Sequence, residues 1–371
     1  GFDRIIGFDM GGTSTDVSHY AGDYELTNEA EVAGARIRAP MMAIHTVAAG
    51  GGSICRFDGA RFLVGPESAG AVPGPASYRR GGPLTVTDCN VVLGKIQPAH
   101  FPSVFGPDAD EPLDPDAALA RIEEVRAAVK AETGRGMSAA EIAAGFLDIA
   151  AQSMANAIKK ISVARGRDVT RYTLASFGGA GGQHACLVAD ALGIGRVMVH
   201  PFAGVLSAYG MGLADRRATR ERTLRTAFDD ESGMRGAADA LAQDALRELG
   251  APHAGEAAPV TAAQVFLRHE GTEHAIAVPH GSAADMQKAF EERHREAFGF
   301  VGDAPLIAEM MRVEARADSG AKAMAGTAGA GEPEPAIETA ATFIGGEETA
   351  TPIHRRADMR SGHAVSGPAL I

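Results

Sequence analysis

Cysteine is scarce in this sequence, with three residues among 371, and long apolar runs are missing altogether. Cys55, Cys89 and Cys186 form no C-x-x-C pair, which excludes a disulfide scaffold and a zinc ribbon and favours a reducing, cytoplasmic location. No segment approaches the ~20 consecutive apolar residues that span a bilayer, and the first twenty residues carry charges where a signal peptide has its apolar centre. We therefore predict a soluble protein that does not contact a membrane.

Basic side chains are in the minority, because 35 lysines and arginines stand against 47 aspartates and glutamates, a net charge of −12. A protein that binds a phosphate backbone needs a concentrated basic face, so this balance argues against a nucleic-acid partner. The length exceeds the ~250–300 residues at which a single core stops growing. Two or more packed units are therefore expected.

Periodicity and turn residues predict an α/β region followed by a smaller α+β unit. Strand-like runs at 5–8 and 15–20 open the chain. Strand, glycine turn, helix and strand follow one another over 171–199, a crossover that implies at least one parallel strand pair. Ser138 and Glu141 form a capping-box pattern before a long predicted helix, whose apolar residues recur at helical spacing from Phe146 to Ile161. Further helices are predicted at 115–132, 206–213, 233–249 and 282–298, and further strands at 218–225, 260–268, 273–278 and 307–316.

The segment from Asp9 to Asp16 carries the strongest indication of chemistry. Two adjacent glycines lie between two strands, so successive N–H groups converge with no Cβ in the way and suit phosphate oxygens. Asp9 and Asp16 flank the turn with carboxylates that can hold hydrated Mg²⁺ or orient a nucleophile. An ordinary hairpin that satisfies its own backbone is the alternative. The candidate phosphate-binding residues are Gly11, Gly12, Thr13 and Ser14.

A second glycine-rich turn follows Phe177 and precedes a predicted helix. Backbone without side chains can approach a flat ligand closely here, and a helix N-terminus favours anionic groups. The spacing is not that of a Rossmann fingerprint, because His184 stands where the last glycine would be. His184 is a candidate substrate contact, with a hydrogen-bonded structural histidine as the alternative. The candidate nucleotide-binding glycines are Gly178, Gly179, Gly181 and Gly182.

Two long loops, at 47–53 and 64–70, complete the set of candidate sites. Structureless loops of this length inside a compact domain are usually functional. Glu67, Asp88 and Asn90 are the polar groups that we place near a metal or substrate, although Glu67 and Asp88 have capping of nearby turns as an open alternative. The candidate substrate contacts are Gly51, Gly52, Ser53, Glu67, Asp88 and His184.

At these residues the chain resembles the hydantoinase A/5-oxoprolinase family, and more narrowly the ATP-dependent 5-oxoprolinases. The similarity is dense over residues 1 to about 225 and looser beyond them. Long ungapped strings of this kind are far more specific than an isolated DxGGT. The resemblance is carried in order by GFDMGGTSTDVSHYAG, HTVAAGGGSI, VGPESAGAVPGPASYRRGGPLTVTDCNVVLGKIQP, FGGAGGQHACLVADALG and LSAYGMGLAD.

The resemblance implies an α/β, actin-like ATPase fold with RNase H-like lobes and mixed sheets. It implies that residues 9–13 form the second of two phosphate hairpins, that 178–182 form an adenosine turn, and that ATP and Mg²⁺ are the cofactors. Asp9 and Asp16 would then be the catalytic and metal-binding residues. The first phosphate hairpin is expected upstream, so we interpret the chain as part of a longer polypeptide. We divide it into an ATPase core at 1–225, an α+β unit at 226–318, a mobile linker at 319–350 and a C-terminal segment at 351–371.

The activity that the resemblance implies is the ATP-dependent opening of the lactam of 5-oxo-L-proline to L-glutamate, a step of glutathione metabolism. Amide resonance makes the lactam carbonyl a poor electrophile, and phosphorylation of its oxygen would create a better leaving group. A site of glycines, hydroxyls and carboxylates suits the positioning and charge neutralisation that phosphoryl transfer needs.

Two alternatives stay open, the ATP-binding subunit of an N-substituted hydantoinase or acetone carboxylase, and a noncatalytic scaffold. The expected partners are a small cyclic amide, a hydantoinase B-type domain or subunit, and further copies of this chain in a homo-oligomer.

Overall fold

The computed structural model of this protein describes residues 2–22, 24–27, 30–32, 35–37, 41–251, 257–320 and 335–371. The described residues fall into two compact units, one within Gly1–Leu206 and Ala325–Ile371 and the other within Ser207–Met324. Each unit packs helices against a sheet around its own apolar core, which confirms the predicted α/β class.

Strands and helices alternate along most of the chain. Within the described ranges, no helix combines the length and the apolar character needed to cross a membrane. The strands are β1 (Ile5–Met10), β2 (Thr15–Tyr20), β3 (Leu26–Thr27), β4 (Ala30–Val32), β5 (Ala35–Ile37), β6 (Met41–Met42), β7 (Ile44–Val47), β8 (Ser53–Phe57), β9 (Phe62–Ser68), β10 (Thr173–Phe177), β11 (Val197–Val199), β12 (Arg216–Ala227), β13 (Val260–His269), β14 (Ile276–Pro279), β15 (Leu306–Ala317), β16 (Glu338–Ile344) and β17 (Glu347–Ile353). The α-helices are α1 (Val86–Val92), α2 (Pro115–Thr133), α3 (Ala139–Ile161), α4 (Gly181–Leu192), α5 (Leu206–Leu213), α6 (Glu231–Leu249) and α7 (Ala283–Phe298).

The first unit is built on a five-stranded sheet in the order β11-β10-β1-β2-β7. β10 runs parallel to both β1 and β11, whereas β2 is antiparallel to β1 and to β7. The parallel pairs confirm the crossover that was predicted over 171–199. This mixture of parallel and antiparallel pairs agrees with the mixed sheets that the resemblance implies for an RNase H-like lobe.

The core of this unit forms between the sheet and α3. Alternate side chains of β1 and β2, such as Phe8 and Val17, are fully buried against apolar residues that recur at helical spacing on α3. Ser138 caps α3 reciprocally with Glu141, since each side chain accepts the other residue's backbone N–H. Both the helix and its capping box agree with the sequence-based prediction.

The second unit contains a four-stranded sheet in the order β12-β15-β13-β14, with α6 and α7 contributing to its core. All of its strand pairs are antiparallel. The structure differs here from the predicted division at 225, because β12 pairs along its length with β15, from Arg216 opposite Ala317 to Ala227 opposite Ile307. Pairing between strands this far apart in sequence leaves no local pattern, so periodicity identified the strand and not its sheet.

The predicted linker at 319–350 also differs from the structure. β16 and β17 form an antiparallel hairpin within the first unit, joined by Gly345 and Gly346, which both have positive φ. Buried Thr342 and Thr351 pair across this hairpin through their hydroxyls at 2.6 Å. These strands are rich in threonine and alanine, so they lack the apolar alternation that identifies a strand in sequence. Residues 321–334 of the predicted linker lie outside the described residues.

Candidate active site

Two glycine turns lie side by side at the carboxyl ends of β1 and β10 in the five-stranded sheet. β1 and β10 are parallel neighbours with Asp9 opposite Phe177, so the turns that follow them emerge together. The backbone N–H of Ala180 donates to the carbonyl oxygen of Met10 at 2.9 Å. Gly178 has φ +83°, and a Cβ on it would overlap the Met10 carbonyl and lie 2.5 Å from Asp9 Oδ1. Only glycine fits this contact between the turns.

A third glycine-rich segment, at 50–52, packs on the first turn. The N–H groups of Gly51 and Gly52 donate to the carbonyl oxygens of Gly11 and Gly12 at 3.1 and 2.6 Å. A Cβ on Gly50 would lie 2.7 Å from the Gly12 carbonyl oxygen, so glycine is needed here as well. Three segments that are remote in sequence therefore meet through their backbones.

The glycines that do not pack against protein leave open space beside the turns. A Cβ on Gly12, Gly179 or Gly182 would meet no atom within 4 Å. α4 begins at Gly181, and no side chain caps it through Ala180. The first N–H groups of a helix lack intrahelical partners and carry partial positive charge. This combination of open backbone and an uncapped helix start fits the phosphate groups of a nucleotide.

Asp9 and Asp16 lie directly opposite each other on β1 and β2. Directly opposed residues share a face of the sheet, and like charges there repel unless a cation lies between or beside them. Thr46 on β7 donates its hydroxyl to Asp16 Oδ1 at 2.5 Å. Among the described residues, no group of three or more His, Cys, Asp and Glu side chains is suited to a metal ion. A carboxylate pair that leaves the remaining positions to phosphate oxygens and water is a known way of holding Mg²⁺.

A cavity of about 190 Å³ adjoins all three glycine segments. It is smaller than the ~300–1,000 Å³ pockets of drug-sized ligands, so it suits a small molecule. Apolar residues line one part of it, among them Ile96, Phe101 and Leu113. Its glycine and polar lining includes Gly12, Gly51, Gly52, Gly179, Thr87, Asn90, Gln183 and His184.

His184 and Asn90 form a buried polar pair in the cavity wall, with 1% and 2% of their surfaces exposed. Asn90 Nδ2 lies 3.1 Å from both the Val86 carbonyl oxygen and His184 Nε2. Burial and, to a smaller extent, the nearby charge of Lys95 together lower the pKa of His184 to about 3. The imidazole is therefore neutral at physiological pH.

The structure brings some of the predicted substrate contacts to the cavity and not others. Gly51, Gly52 and His184 line it. Ser53 is buried beside it and accepts the Gly50 N–H through its hydroxyl at 2.9 Å. Glu67 lies on the surface, where Arg56 Nη1 donates to its carboxylate at 2.8 Å.

Asp88 is fully buried and holds the surrounding loop together. Its Oδ1 accepts the N–H of Ser77 at 2.8 Å, and its Oδ2 accepts N–H groups of Ala76 and Thr85 at 3.0 and 2.8 Å. Thr85 and Asp88 form the capping box of α1. This geometry matches the capping alternative that the sequence left open for Asp88.

Several cavity residues escaped the sequence analysis. Thr87 donates its hydroxyl to the Gly51 carbonyl oxygen at 2.9 Å, and Gln183 lines the cavity beside His184. Both residues lie inside the runs that carry the family resemblance, which was the available signal. Tyr78 also lies inside one of these runs, whereas Phe101 and Leu113 come from a proline-rich stretch without a recognisable pattern, so only the fold reveals their position.

Replacement of Gly178 tests the contact between the two turns. Gly178→Ala should lower the free energy of unfolding by about 2 kcal/mol or more, since the left-handed backbone alone costs ~1–2 kcal/mol and the Met10 carbonyl must also move. Gly195→Ala is the matched control, because its Cβ would enter open space. Urea unfolding of both variants gives the comparison, and equal stabilities would contradict the packing described here.

The role of Asp88 is testable with an isosteric change. Asp88→Asn places an amide NH₂ against backbone donors in a buried site, so we expect a loss of about 3 kcal/mol in the free energy of unfolding. Glu67→Gln should leave stability nearly unchanged, because exposed ion pairs contribute little. Thermal and urea unfolding measure both effects. An Asp88→Asn chain as stable as wild type would argue against the structural role.

Neutral His184 makes stability depend on pH with a defined sign. Unfolded histidine titrates near 6.5 and folded His184 near 3, so only the unfolded state gains this proton as pH falls between these values. The contribution of neutral His184 to the free energy of unfolding is complete above pH 6.5 and declines below it. Between pH 7.5 and 5.5 wild type should lose about 1.4 kcal/mol more than His184→Gln. Urea unfolding at both pH values checks this, and parallel profiles would refute it.

Comparison with known proteins agrees with this geometry. A family model described as hydantoinase/oxoprolinase matches residues 1–220. The 5-oxoprolinase PfmaA of Pestalotiopsis fici is 39% identical over 377 residues, which cover 99% of this chain and 29% of that protein. This chain therefore spans less than a third of that curated relative.

Two solved structures share the fold over the whole of this chain and 55% of theirs. The ATP-dependent caprolactamase from Pseudomonas jessenii has a TM-score of 0.84 at 26% identity. A nucleotide-free acetone carboxylase has a TM-score of 0.71 at 21% identity, which supports the fold alone. Taken with the family match over residues 1–220, these similarities show that the chain belongs to the hydantoinase/oxoprolinase family.

Proposed function

We propose that this chain forms part of the ATP-binding and phosphorylating site of an enzyme that opens the lactam of 5-oxo-L-proline to L-glutamate. The observation that supports this most is the meeting of the two glycine turns beside a small cavity with a buried polar wall. Two proteins that the chain is similar to are named for the lactams 5-oxoproline and caprolactam. Both names refer to a cyclic amide, and the second also states dependence on ATP. A nucleotide site beside a small cavity suits this chemistry.

The proposal assigns the first turn, residues 11–14, to the phosphate groups of the nucleotide. Its glycine backbone is open, and Thr13 adds an exposed hydroxyl. Residues 178–182 contact the adenosine side and offer the positive end of α4 to the phosphates. Asp9 and Asp16, which share one face of the sheet, would hold Mg²⁺, and the hydroxyl of Thr46 orients Asp16.

Bound Mg·ATP would supply the phosphoryl group that activates the lactam oxygen. The protein's own task is then to align that oxygen and to neutralise charge, which accounts for a site without a nucleophile triad. The cavity wall of Asn90 and His184 holds the amide near the phosphate turns and excludes bulk water. We place this activity in the cytoplasm, with a hydantoinase B-type partner that completes ring opening and with assembly into a homo-oligomer.

An N-substituted hydantoinase or an acetone carboxylase is the second candidate, because activation by ATP is shared while the substrate differs. The likeness to acetone carboxylase favours this candidate only at the level of the fold. A noncatalytic scaffold has less support, since open glycine backbone and an uncapped helix start serve no packing purpose in the described residues.

Nucleotide binding and ADP release test the proposal. Calorimetry should detect Mg·ATP binding to this chain, whereas a noncatalytic scaffold should bind no Mg·ATP. With the B-type partner present, 5-oxoproline should stimulate ADP release more than hydantoin or acetone does. Asp9→Asn should reduce that release by roughly two orders of magnitude or more, because a charged contact to the cation is lost.

Asp190→Asn is the matched control, since Asp190 is exposed on α4 away from the turns, and it should behave as wild type. Near-normal turnover of Asp9→Asn would reject the assigned role, and preference for hydantoin or acetone would favour the second candidate.

A further inference from the structure

Three of the residues that line the small cavity each carry a side-chain polar atom that is buried and has no hydrogen-bond partner. These atoms are Asn90 Oδ1, His184 Nδ1 and Gln183 Oε1. A buried polar atom without a partner costs roughly 1–3 kcal/mol, and most such atoms in native proteins are paired. Three of them around one cavity indicate that something other than the protein completes their hydrogen bonds.

The hydrogen-bond roles of these atoms follow from the neighbouring carbonyl of Val86. That oxygen can only accept, so the Asn90 atom 3.1 Å from it is the donor Nδ2. The second hydrogen of Nδ2 then points to His184 Nε2, also at 3.1 Å, which must accept it. A neutral imidazole that accepts at Nε2 carries its proton on Nδ1. Asn90 therefore presents a free acceptor, and His184 presents a free donor.

The neutral state of this donor is fixed by its surroundings. His184 is almost wholly buried, and the ammonium group of Lys95 disfavours a second positive charge close by. Protonation at Nε2 would also break the bond from Asn90. The imidazole thus offers one N–H at Nδ1 and does not act as a cation toward a ligand.

We propose that the Asn90–His184 pair is the amide-recognition element of this cavity, with Asn90 Oδ1 accepting the ring N–H of a small cyclic secondary amide and His184 Nδ1–H donating to its carbonyl oxygen. An amide has one donor and one acceptor on adjacent atoms, which matches one free acceptor and one free donor. A ketone lacks the N–H and a carboxylate is acceptor-only, so each leaves Asn90 Oδ1 unpaired.

This assignment rests on the proposed function. It adds that the substrate binds in this cavity. The volume of about 190 Å³ is small beside the ~300–1,000 Å³ pockets of drug-sized ligands, so it suits a small ring. The apolar side chains of Ile96, Phe101 and Leu113 offer contact to the ring methylenes. The element discriminates between a lactam and a ketone substrate before any phosphoryl transfer.

The experiment measures binding of 5-oxoproline, N-methyl-5-oxoproline and Mg·ATP to the purified chain by ligand-observed NMR and calorimetry. Wild type should bind 5-oxoproline about tenfold or more tightly than the N-methyl analogue, because methylation removes the donor that Asn90 accepts. This arm needs no mutation and is unaffected by loss of fold. Equal affinity for the two ligands would overturn the proposal.

His184→Gln tests the histidine, because glutamine keeps an acceptor toward Asn90 and removes the donor at Nδ1. It should weaken 5-oxoproline binding about tenfold and leave Mg·ATP binding within twofold of wild type. His100→Gln, at an exposed histidine paired with Glu338, is the matched control and should change neither. Loss of Mg·ATP binding with unchanged 5-oxoproline binding would assign the cavity to nucleotide and overturn the inference.

The two proposals fail in distinguishable ways. Wild type that binds Mg·ATP and no 5-oxoproline contradicts amide recognition and leaves the nucleotide assignment intact. Wild type that binds 5-oxoproline with the expected N–H dependence and no Mg·ATP supports amide recognition and contradicts the nucleotide site in this chain. Binding of neither ligand contradicts both.

Discussion

The parallel pairing of β1 with β10 is the constraint on which the site depends. It brings together two turns that are separated by about 165 positions, and it does so with main-chain contacts that no side chain can replace. Asp9 lies beside Phe177 in register, and the chain after Phe177 must pass directly over the Met10 carbonyl. The register of the sheet therefore fixes the position of the candidate nucleotide turn. Because both turns line the adjoining cavity, the same register also positions that part of the cavity wall.

The glycines of the site divide into two physical classes that look alike in sequence. Gly50 and Gly178 are glycine because a Cβ would meet backbone atoms at 2.7 Å or less. Gly12 and Gly179 have open space where a Cβ would be, so packing within the described residues does not explain them. The first class builds the junction, and the second leaves backbone accessible to a ligand. Both classes are written as glycine in the sequence, so a glycine motif alone does not show which positions pack against protein and which are open to a ligand.

Local patterns predicted most of the elements in this chain. The spacing of apolar residues and the Ser138–Glu141 pair gave α3, and strand, turn, helix and strand over 171–199 gave the crossover. The prediction failed for two different reasons. β12 belongs with β15 because of pairing across about a hundred residues, which leaves no local signature. The contacts of the β16–β17 hairpin are local, but its strands are rich in threonine and alanine and resemble linker composition.

The site shows the same division between local and remote information. Asp88 illustrates how a buried carboxylate can be essential to a loop without facing a ligand, because all of its hydrogen bonds described above go to neighbouring backbone and to Thr85. Asn90, two residues further along, lines the cavity and has a buried acceptor that no protein group satisfies. Two residues of an α-helix correspond to roughly 200° of rotation, so these two side chains leave α1 on nearly opposite sides. A polar residue in such a loop therefore cannot be assigned from its type alone, and what distinguishes a structural from a ligand-binding group is whether its hydrogen bonds are complete within the fold.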